Sequence, residues 1–220
     1  MEKGEEVTKE VRPICVLDYG VGNLGSLKAL LDRERITYVV TSSREDVIEA
    51  QTILLSGVGS FDSGMKNLES LGLTEILRGK VSLQSGKLVG LCLGMQLLFE
   101  TSEEGELPGL GIVPGEVKHF RFGVSQPWLK TPHMGWSQIK KTSYSSGISD
   151  QYDKHRFYFV HSYYAAPSDD SIVKYRAFHG HEFPAVIESG NVIASQFHPE
   201  KSSLQGRSML LEMLGRAHEG

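Results

Sequence analysis

The stretch KLVGLCLGMQLLFE, residues 87–100, decides the fold because one kind of structural element changes into another within it. The apolar run KLVGL predicts a buried strand, and CLGMQLLFE begins a helix. Cys92 stands at the join, between Gly90 and Gly94. This G-x-C-x-G pattern is typical of a nucleophile elbow, in which glycines permit a sharp turn and the helix N-terminus favours the thiolate. A core cysteine in an apolar run is the alternative.

A second pattern, ASQFHPEKSS at residues 194–203, follows another predicted strand. His198 and Glu200 are separated by a single rigid proline, so an imidazole and a carboxylate can act there as a base and its orienting group. Alone, HPE is more typical of an ordinary surface turn. Together with Cys92 it predicts a Cys-His-acid triad, because both patterns come at the ends of predicted strands, where ligands bind in parallel α/β sheets.

The segments around these patterns predict the rest of the fold. RPICVLDYG, ITYVVTSS and TILLSG predict strands, while SLKALLDRE, REDVIEA and GMKNLESLGLTEILRG predict helical pieces between them. This alternation predicts an α/β fold with a mostly parallel central sheet flanked by helices. After residue 100, short segments broken by Gly, Pro and Ser predict a strand-rich second half, closed by a helix over SLQGRSMLLEMLGRA. We expect a polar extension over residues 1–11 and a single domain over residues 12–220.

Composition excludes several classes of function. The 220 residues are 40% hydrophobic and 23% charged, and the net charge of −4 leaves no basic patch for nucleic acid or an anionic membrane. The longest apolar run falls short of the ~20 residues of a membrane span, and the charged start lacks the apolar core of a signal peptide. Two cysteines make no disulfide framework, and Cys15 is most typical of a core residue. We therefore expect a soluble, cytoplasmic protein.

Three further patterns suggest other sites. Gly20, Gly22 and Gly25 match the G-x-G-x-x-G of dinucleotide-binding loops, which would make the chain a nucleotide-dependent oxidoreductase. That interpretation ranks second, since the expected ribose-binding acid is not evident and the triad would be unused. A metal site is weaker still, because its candidates lack a helical ligand frame; they are His179, His181, Glu182 and His198. The glycine-rich LLSGVGSF could aim a backbone N–H at an oxyanion, or could simply be a turn.

Taken together, these motifs resemble those of a known family. GLCLGMQLLFE and QFHPEKS are similar to the motifs of class I glutamine amidotransferases, whose fold is flavodoxin-like. DYGVGNLGS, GVGSF, PHMGWS and FVHSYY narrow the resemblance to the glutaminase subunits of imidazole glycerol phosphate synthase. A glutaminase subunit of another amidotransferase and a non-catalytic module with the same fold are the remaining alternatives.

The resemblance implies a role for each matching residue. Cys92 would be the nucleophile, His198 its acid and base, and Glu200 the carboxylate that orients the imidazole. The oxyanion hole would use the N–H groups of Leu93 and of Val58, the latter after a flip of the peptide that precedes it. Glutamine would be held by Gly57, Gly59, Gln96, Ser162 and Tyr163. The partner subunit would be faced by Asn23, Met134, Trp136, Tyr158 and Lys201.

The resemblance also implies the reaction. Glutamine would be hydrolysed through a glutamyl thioester, without a cofactor or metal. The ammonia would pass to a separate cyclase subunit, the partner in a heterodimer, which forms imidazole glycerol phosphate and aminoimidazole carboxamide ribotide in histidine biosynthesis. Two residues depart from the family pattern: Ser56 replaces the usual proline before the oxyanion loop, and Ser137 replaces the usual asparagine after the tryptophan.

Overall fold

The computed structural model describes residues 12–22, 24–122, 128–144 and 148–216. In these ranges the strands are β1 (Ile14–Leu17), β2 (Tyr38–Thr41), β3 (Thr52–Gly57), β4 (Lys87–Cys92), β5 (Thr101–Ser102), β6 (Gly115–His119), β7 (His133–Lys141), β8 (Arg156–His161), β9 (Tyr163–Pro167), β10 (Val173–His179), β11 (His181–Ser189) and β12 (Val192–Ser195). The α-helices are α1 (Gly25–Arg33), α2 (Arg44–Glu49), α3 (Phe61–Ser70), α4 (Thr74–Ser82), α5 (Leu93–Gln96) and α6 (Ser203–Met213). Short 3-10 turns cover Asp150–Tyr152, Asp170–Ile172 and Pro199–Lys201.

The main sheet has nine strands in the order β2-β1-β3-β4-β12-β11-β10-β7-β8. The first five in this order pair in parallel, and the pairings from β12 through β8 are antiparallel. A small second sheet contains β5, β6 and β9. The predicted α/β class is confirmed, including the parallel core and the strand-rich second half. Most of that second half continues the central sheet.

The helices cover this sheet with apolar faces. Leu27, Leu30 and Leu31 of α1, spaced as an amphipathic helix requires, are all buried. Side chains of Ser43 and Ser60 cap α2 and α3 by accepting backbone N–H groups from the first turn. No helix among the described residues is long and apolar enough to cross a membrane.

The helix after Cys92 begins where the sequence predicts, and it is short. CLGMQLLFE begins a helix, and α5 contains only Leu93–Gln96. The chain then turns tightly, with the N–H groups of Leu98 and Phe99 bonded to the carbonyls of Met95 and Gln96. The apolar residues after α5 are completely buried in the core. This burial indicates that core packing, rather than helix propensity, determines the conformation of the segment.

The sheet brings the predicted site residues to one edge. β3, β4 and β12 are neighbours and run in parallel, so their carboxyl ends lie side by side. Gly57 ends β3, Cys92 ends β4, and the chain after β12 leads directly to His198. This edge is the expected ligand position in a parallel sheet.

Candidate active site

Cys92 occupies a strained elbow that its neighbouring glycines make possible. Its φ of 53° and ψ of −107° lie in a region that side chains rarely adopt, at a cost of about 1–3 kcal/mol. A Cβ added at Gly94 would lie 1.8 Å from the carbonyl oxygen of Leu55, and one at Gly90 would lie 2.9 Å from the carbonyl oxygen of Gly94. Both positions therefore require glycine, and strain at a cysteine marks this position as a functional candidate.

His198 and Glu200 form the pair that their spacing predicts. The His198 Nδ1 and the Glu200 Oε1 are 2.8 Å apart, and both side chains are almost fully buried. The His198 backbone N–H donates to the carbonyl of Tyr158 at 3.0 Å, and the Ser202 hydroxyl donates to the His198 carbonyl at 2.6 Å. Strand β8 and the following turn thus hold the imidazole in position.

The charge state of His198 reflects two opposing effects. Burial lowers its pKa, but the Cys92 sulfur and the Glu200 carboxylate outweigh burial and raise the pKa to about 10. The His198 Nε2 is buried and has no hydrogen-bond partner among the described residues. We attribute the raised pKa to the closeness of the sulfur and carboxylate, because catalytic hydrogen bonds are often long before substrate binds. The arrangement favours the imidazolium form of His198.

An amide that the sequence patterns did not indicate also contacts the sulfur. Gln196, which is completely buried, donates from its Nε2 to the Cys92 Sγ at 3.8 Å. Gln96 donates from its Nε2 to the Gln196 Oε1 at 3.1 Å and to the Tyr163 carbonyl at 2.9 Å. With only four residues, α5 has a small dipole, so the Gln196 amide is the more direct polar contact of the sulfur.

A cavity of about 310 Å³ opens beside Cys92. Of the predicted oxyanion and glutamine-binding residues, those that line it are Val58, Gly59, Leu93, Gln96, Ser162 and Tyr163. A larger cavity of about 730 Å³ lies between α3 and α4, lined by residues such as Met65 and Arg78. We assign the site to the smaller cavity because it contains the strained cysteine.

Gly57, the remaining predicted glutamine-binding residue, lies at the end of β3 but is not among the residues that line this cavity. A Cβ added at Gly57 would lie 2.3 Å from the hydroxyl of Tyr19, so the tyrosine occupies the space in which a side chain would lie. The Tyr19 hydroxyl is itself buried and has no hydrogen-bond partner among the described residues. The next residue, Val58, has 44% of its surface exposed.

Glu104 lines the same cavity and was not singled out by any sequence pattern. Its carboxylate accepts the Phe61 N–H at 2.8 Å, and burial raises its pKa. It lies in the polar stretch TSEEGE, where several acidic residues are equivalent by composition alone. Only the return of this loop to the elbow distinguishes it from its neighbours.

The predicted partner-facing residues cluster on one outer surface. Met134 and Trp136 are 63% and 41% exposed on β7, and Trp136 pairs across the strands with Tyr158, their rings 6.1 Å apart. Lys201 is exposed on the turn that packs against β8. Asn23 lies outside the described residues. Ser137 faces inward, which separates it from this surface.

The two alternative sites do not have the required geometry. A Cβ added at Gly22 would lie 2.9 Å from the backbone nitrogen of Val58, so the loop after β1 packs against the end of β3 where a dinucleotide would need space. His179 and His181 lie in an aromatic cluster around Phe120. Within the described part of the chain, no three His, Cys, Asp or Glu side chains are grouped so that they could hold a metal ion.

Comparisons with known proteins support the fold and identify the family. The chain matches the family described as glutamine amidotransferase class-I over residues 16–215. A solved glutamine amidotransferase structure covers 93% of this chain and 100% of its own, with a TM-score of 0.71 at 21% identity. PurLQS from Thermotoga maritima covers 93% and 98% with a TM-score of 0.61 at 18% identity, so both structures support the fold.

Closer relatives are found by sequence. The imidazole glycerol phosphate synthase subunit HisH of Moorella thermoacetica is 42% identical over 204 residues, which cover 91% of this chain and 93% of that protein. The HisH subunit of Synechocystis sp. is 43% identical over 200 residues, with 90% and 93% coverage. The chain belongs to the class I glutamine amidotransferases. Within that class, it belongs to the family of imidazole glycerol phosphate synthase HisH subunits. The resemblance that the motifs indicated is confirmed.

Proposed function

We propose that Cys92, His198 and Glu200 carry out the glutaminase reaction of this chain, which is the amidotransferase subunit of an imidazole glycerol phosphate synthase. The observation that carries the proposal is the buried His198–Glu200 pair, 2.8 Å apart, beside a cysteine on a strained elbow. A thiolate nucleophile, a base and an orienting carboxylate are the parts that acyl transfer from an amide requires.

The steps follow from these positions. The Cys92 thiolate attacks the side-chain carbonyl carbon of glutamine, and the negative charge moves to the carbonyl oxygen. N–H groups of Leu93 and Val58 stabilise that oxyanion. The tetrahedral intermediate collapses by breaking the C–N bond, while the His198 imidazolium protonates the departing nitrogen to give ammonia and a glutamyl thioester. His198, now neutral, deprotonates a water that attacks the thioester, and glutamate leaves with the thiolate regenerated.

The cavity selects glutamine through its charges and its size. Glu104, Gly59, Ser162 and Tyr163 all line the cavity. The Glu104 carboxylate binds the α-ammonium group, and backbone N–H groups of the other three residues donate to the α-carboxylate. Gln96 supports this wall through its bond to the Tyr163 carbonyl. A cavity of about 310 Å³ suits a small amino acid.

The ammonia is consumed at a second protein, the cyclase subunit. Only unprotonated ammonia is a nucleophile, so it reaches the cyclase subunit directly, where imidazole glycerol phosphate and aminoimidazole carboxamide ribotide form in histidine biosynthesis. We assign the docking surface to Met134, Trp136, Tyr158 and Lys201, together with Asn23. The first two support the assignment because large apolar side chains are exposed on one strand.

We further propose that residues 12–220 form one domain and that the protein is cytoplasmic, since both of its cysteines are free thiols.

The test is glutamate release from glutamine by the purified chain, alone and with its cognate cyclase subunit, together with product formation by the complex. We expect glutamine-dependent product formation in the complex. A properly folded complex that makes product from ammonia but never from glutamine would contradict the proposal.

A further inference from the structure

Side chains are joined in an unbroken line of hydrogen bonds that runs from Ser137 to the wall of the cavity, where His161 and Tyr163 are lining residues. The Ser137 Oγ lies 2.8 Å from the His133 Nε2, and the His133 Nδ1 lies 3.1 Å from the His161 Nε2. The His161 Nδ1 lies 2.7 Å from the carbonyl oxygen of Tyr163. His133 and His161 are 4% and 6% exposed, so the two imidazoles of this hydrogen-bond chain are almost completely shielded from water.

The last acceptor determines the direction of every bond. A carbonyl oxygen only accepts, so the His161 Nδ1 carries a proton and donates it to Tyr163. Burial lowers the pKa of His161 to about 3 and that of His133 to about 4, so both rings are neutral and carry one proton each. The His161 Nε2 must then accept from the His133 Nδ1, and the His133 Nε2 must accept from the Ser137 hydroxyl. Each group has a single possible role.

This hydrogen-bond chain connects the wall of the glutamine cavity with the strand that carries the predicted partner-facing surface. Its inner end is the Tyr163 carbonyl, which also accepts from Gln96 in the wall of the glutamine cavity. Its outer end lies on β7, where His133 and Ser137 alternate with the exposed Met134 and Trp136. In the register of β7 with β8, His133 stands directly opposite His161.

Packing alone does not explain imidazoles at these positions. His133 stacks on Phe159 with ring centroids 5.0 Å apart, and His161 contacts Phe183 at 5.2 Å. Phenylalanine rings would fill such a cluster without bringing buried polar nitrogens that need partners. What a phenylalanine could not supply is a directed donor to a backbone carbonyl.

We propose that His133 and His161 are positioning residues for glutamine hydrolysis, and that their hydrogen-bond chain holds the Ser162 and Tyr163 backbone in the conformation that binds glutamine. The proposal rests on the function proposed above. Ser137 fits it as well as the asparagine usual in the family, since a hydroxyl and an amide N–H both donate to the His133 Nε2.

The kinetic test compares three variants in the complex with the cyclase subunit. His133→Phe keeps a ring but removes the donor to His161. We expect KM for glutamine to rise about three- to tenfold with kcat within about twofold, the cost of one buried hydrogen bond that supports His161 and, through it, the binding wall. His133→Asn places an amide donor where Nδ1 was and should restore most of the loss. His179→Phe is the matched control: His179 stacks on His133 at 4.3 Å but lies outside the chain, so KM should stay unchanged.

A folded His133→Phe protein with normal KM would overturn the proposal, and so would an equal rise in KM for His179→Phe. If His133→Phe does not fold, nitrogen NMR of the wild-type chain labelled at histidine decides the question. We expect a protonated Nδ1 and an unprotonated Nε2 in both rings. Protonation of Nε2 in either ring would contradict the proposed hydrogen-bond chain. This spectrum does not depend on activity. It therefore distinguishes an error in the proposed hydrogen-bond chain from an error in the glutaminase assignment.

Discussion

Cys15 and Cys92 lie two strands apart in the same parallel sheet and are buried to nearly the same degree, with 1% and 6% of their surfaces exposed. Cys15 lies within β1, and its pKa is raised to about 11, mainly by burial and also by Asp46. Cys92 stands at the carboxyl end of β4 with a left-handed φ, and it contacts the Gln196 amide near His198.

The difference shows that burial by itself does not determine what a thiol can do. Burial disfavours the thiolate, which is the reactive form, and at Cys15 the effect of burial outweighs the nearby positive charge of Lys80. The end of a parallel strand exposes the side chain to groups from the next strand, and here those groups are an amide and an imidazolium. The predictions that follow test this contrast, starting with the largest effect.

Replacing each cysteine by alanine should separate the two most strongly. Cys92→Ala removes the nucleophile, so glutamine-dependent synthesis by the complex should fall by at least ~10⁴-fold, while synthesis from added ammonia stays normal. Cys15→Ala is the control and should retain glutamine-dependent activity. Rates measured with glutamine and with ammonium salts check both. Normal glutamine turnover by Cys92→Ala would remove the basis for the triad.

The surroundings of Cys92 should also respond to the partner. We expect the isolated chain to hydrolyse glutamine about 10²–10³-fold more slowly than the complex with bound ribotide, the cost of one missing oxyanion donor. The reason is that the loop containing Val58 and Gly59 can change the direction of a peptide N–H. Ser56 lacks the proline ring usual in the family, so we expect some activity without the partner. Steady-state glutaminase rates alone, with partner, and with partner and ribotide measure this, and a free chain as fast as the liganded complex would exclude the switch.

Chemical labelling should distinguish the two thiols less strongly. A glutamine-like diazo-ketone should modify Cys92 at least ~10-fold faster than Cys15 at neutral pH, because only the thiolate reacts and the pKa of Cys15 is raised. Peptide mapping by mass spectrometry gives the ratio. An unrelated small alkylating agent serves as the comparison, since it lacks the glutamine-like part that the cavity recognises. Equal labelling by the diazo-ketone would contradict the contrast.

The smallest expected effect concerns stability at high pH. The folded-state pKa of Cys15, about 11, exceeds its ordinary value of 9.0, so the native protein holds this proton more tightly than the unfolded chain. The resulting stability is present below pH 9 and is lost as pH rises toward 11, by about 2 kcal/mol. Wild type should therefore lose about that much more unfolding free energy than Cys15→Ala over this interval. Urea unfolding at several pH values measures the difference, and parallel curves would refute it.

Sequence patterns predicted the parts of the site that are local. The elbow at Cys92 and the pair after β12 depend on glycines, a proline and strand ends within a few residues of each other, so the motif carries the geometry. Gln196 and Glu104 were missed because each reaches the site through long-range contacts. Gln196 alternates with His198 along one segment, and that spacing was the available signal for it.

The same distinction holds for the fold. Alternating strands and helices predicted the parallel half. The placement of β12 beside β4, in contrast, depends on a pairing between residues about a hundred positions apart, such as Val192 and Leu88. The pattern CLGMQLLFE predicted where α5 begins but not where it ends, because the buried apolar residues after it satisfy a helix pattern equally well. Periodicity reports which residues are buried, but it does not say when the chain turns beneath the sheet.

The contact between Gly57 and Tyr19 limits how this protein can change during evolution. Any side chain at position 57 meets the Tyr19 hydroxyl, since its Cβ would lie 2.3 Å from that oxygen. We expect a substitution at position 57 to destabilise the protein while the buried Tyr19 keeps its place, and a smaller residue at position 19 would relieve the clash. The two positions are 38 residues apart in the sequence, so one contact in the fold makes the effect of a substitution at either position depend on the residue at the other.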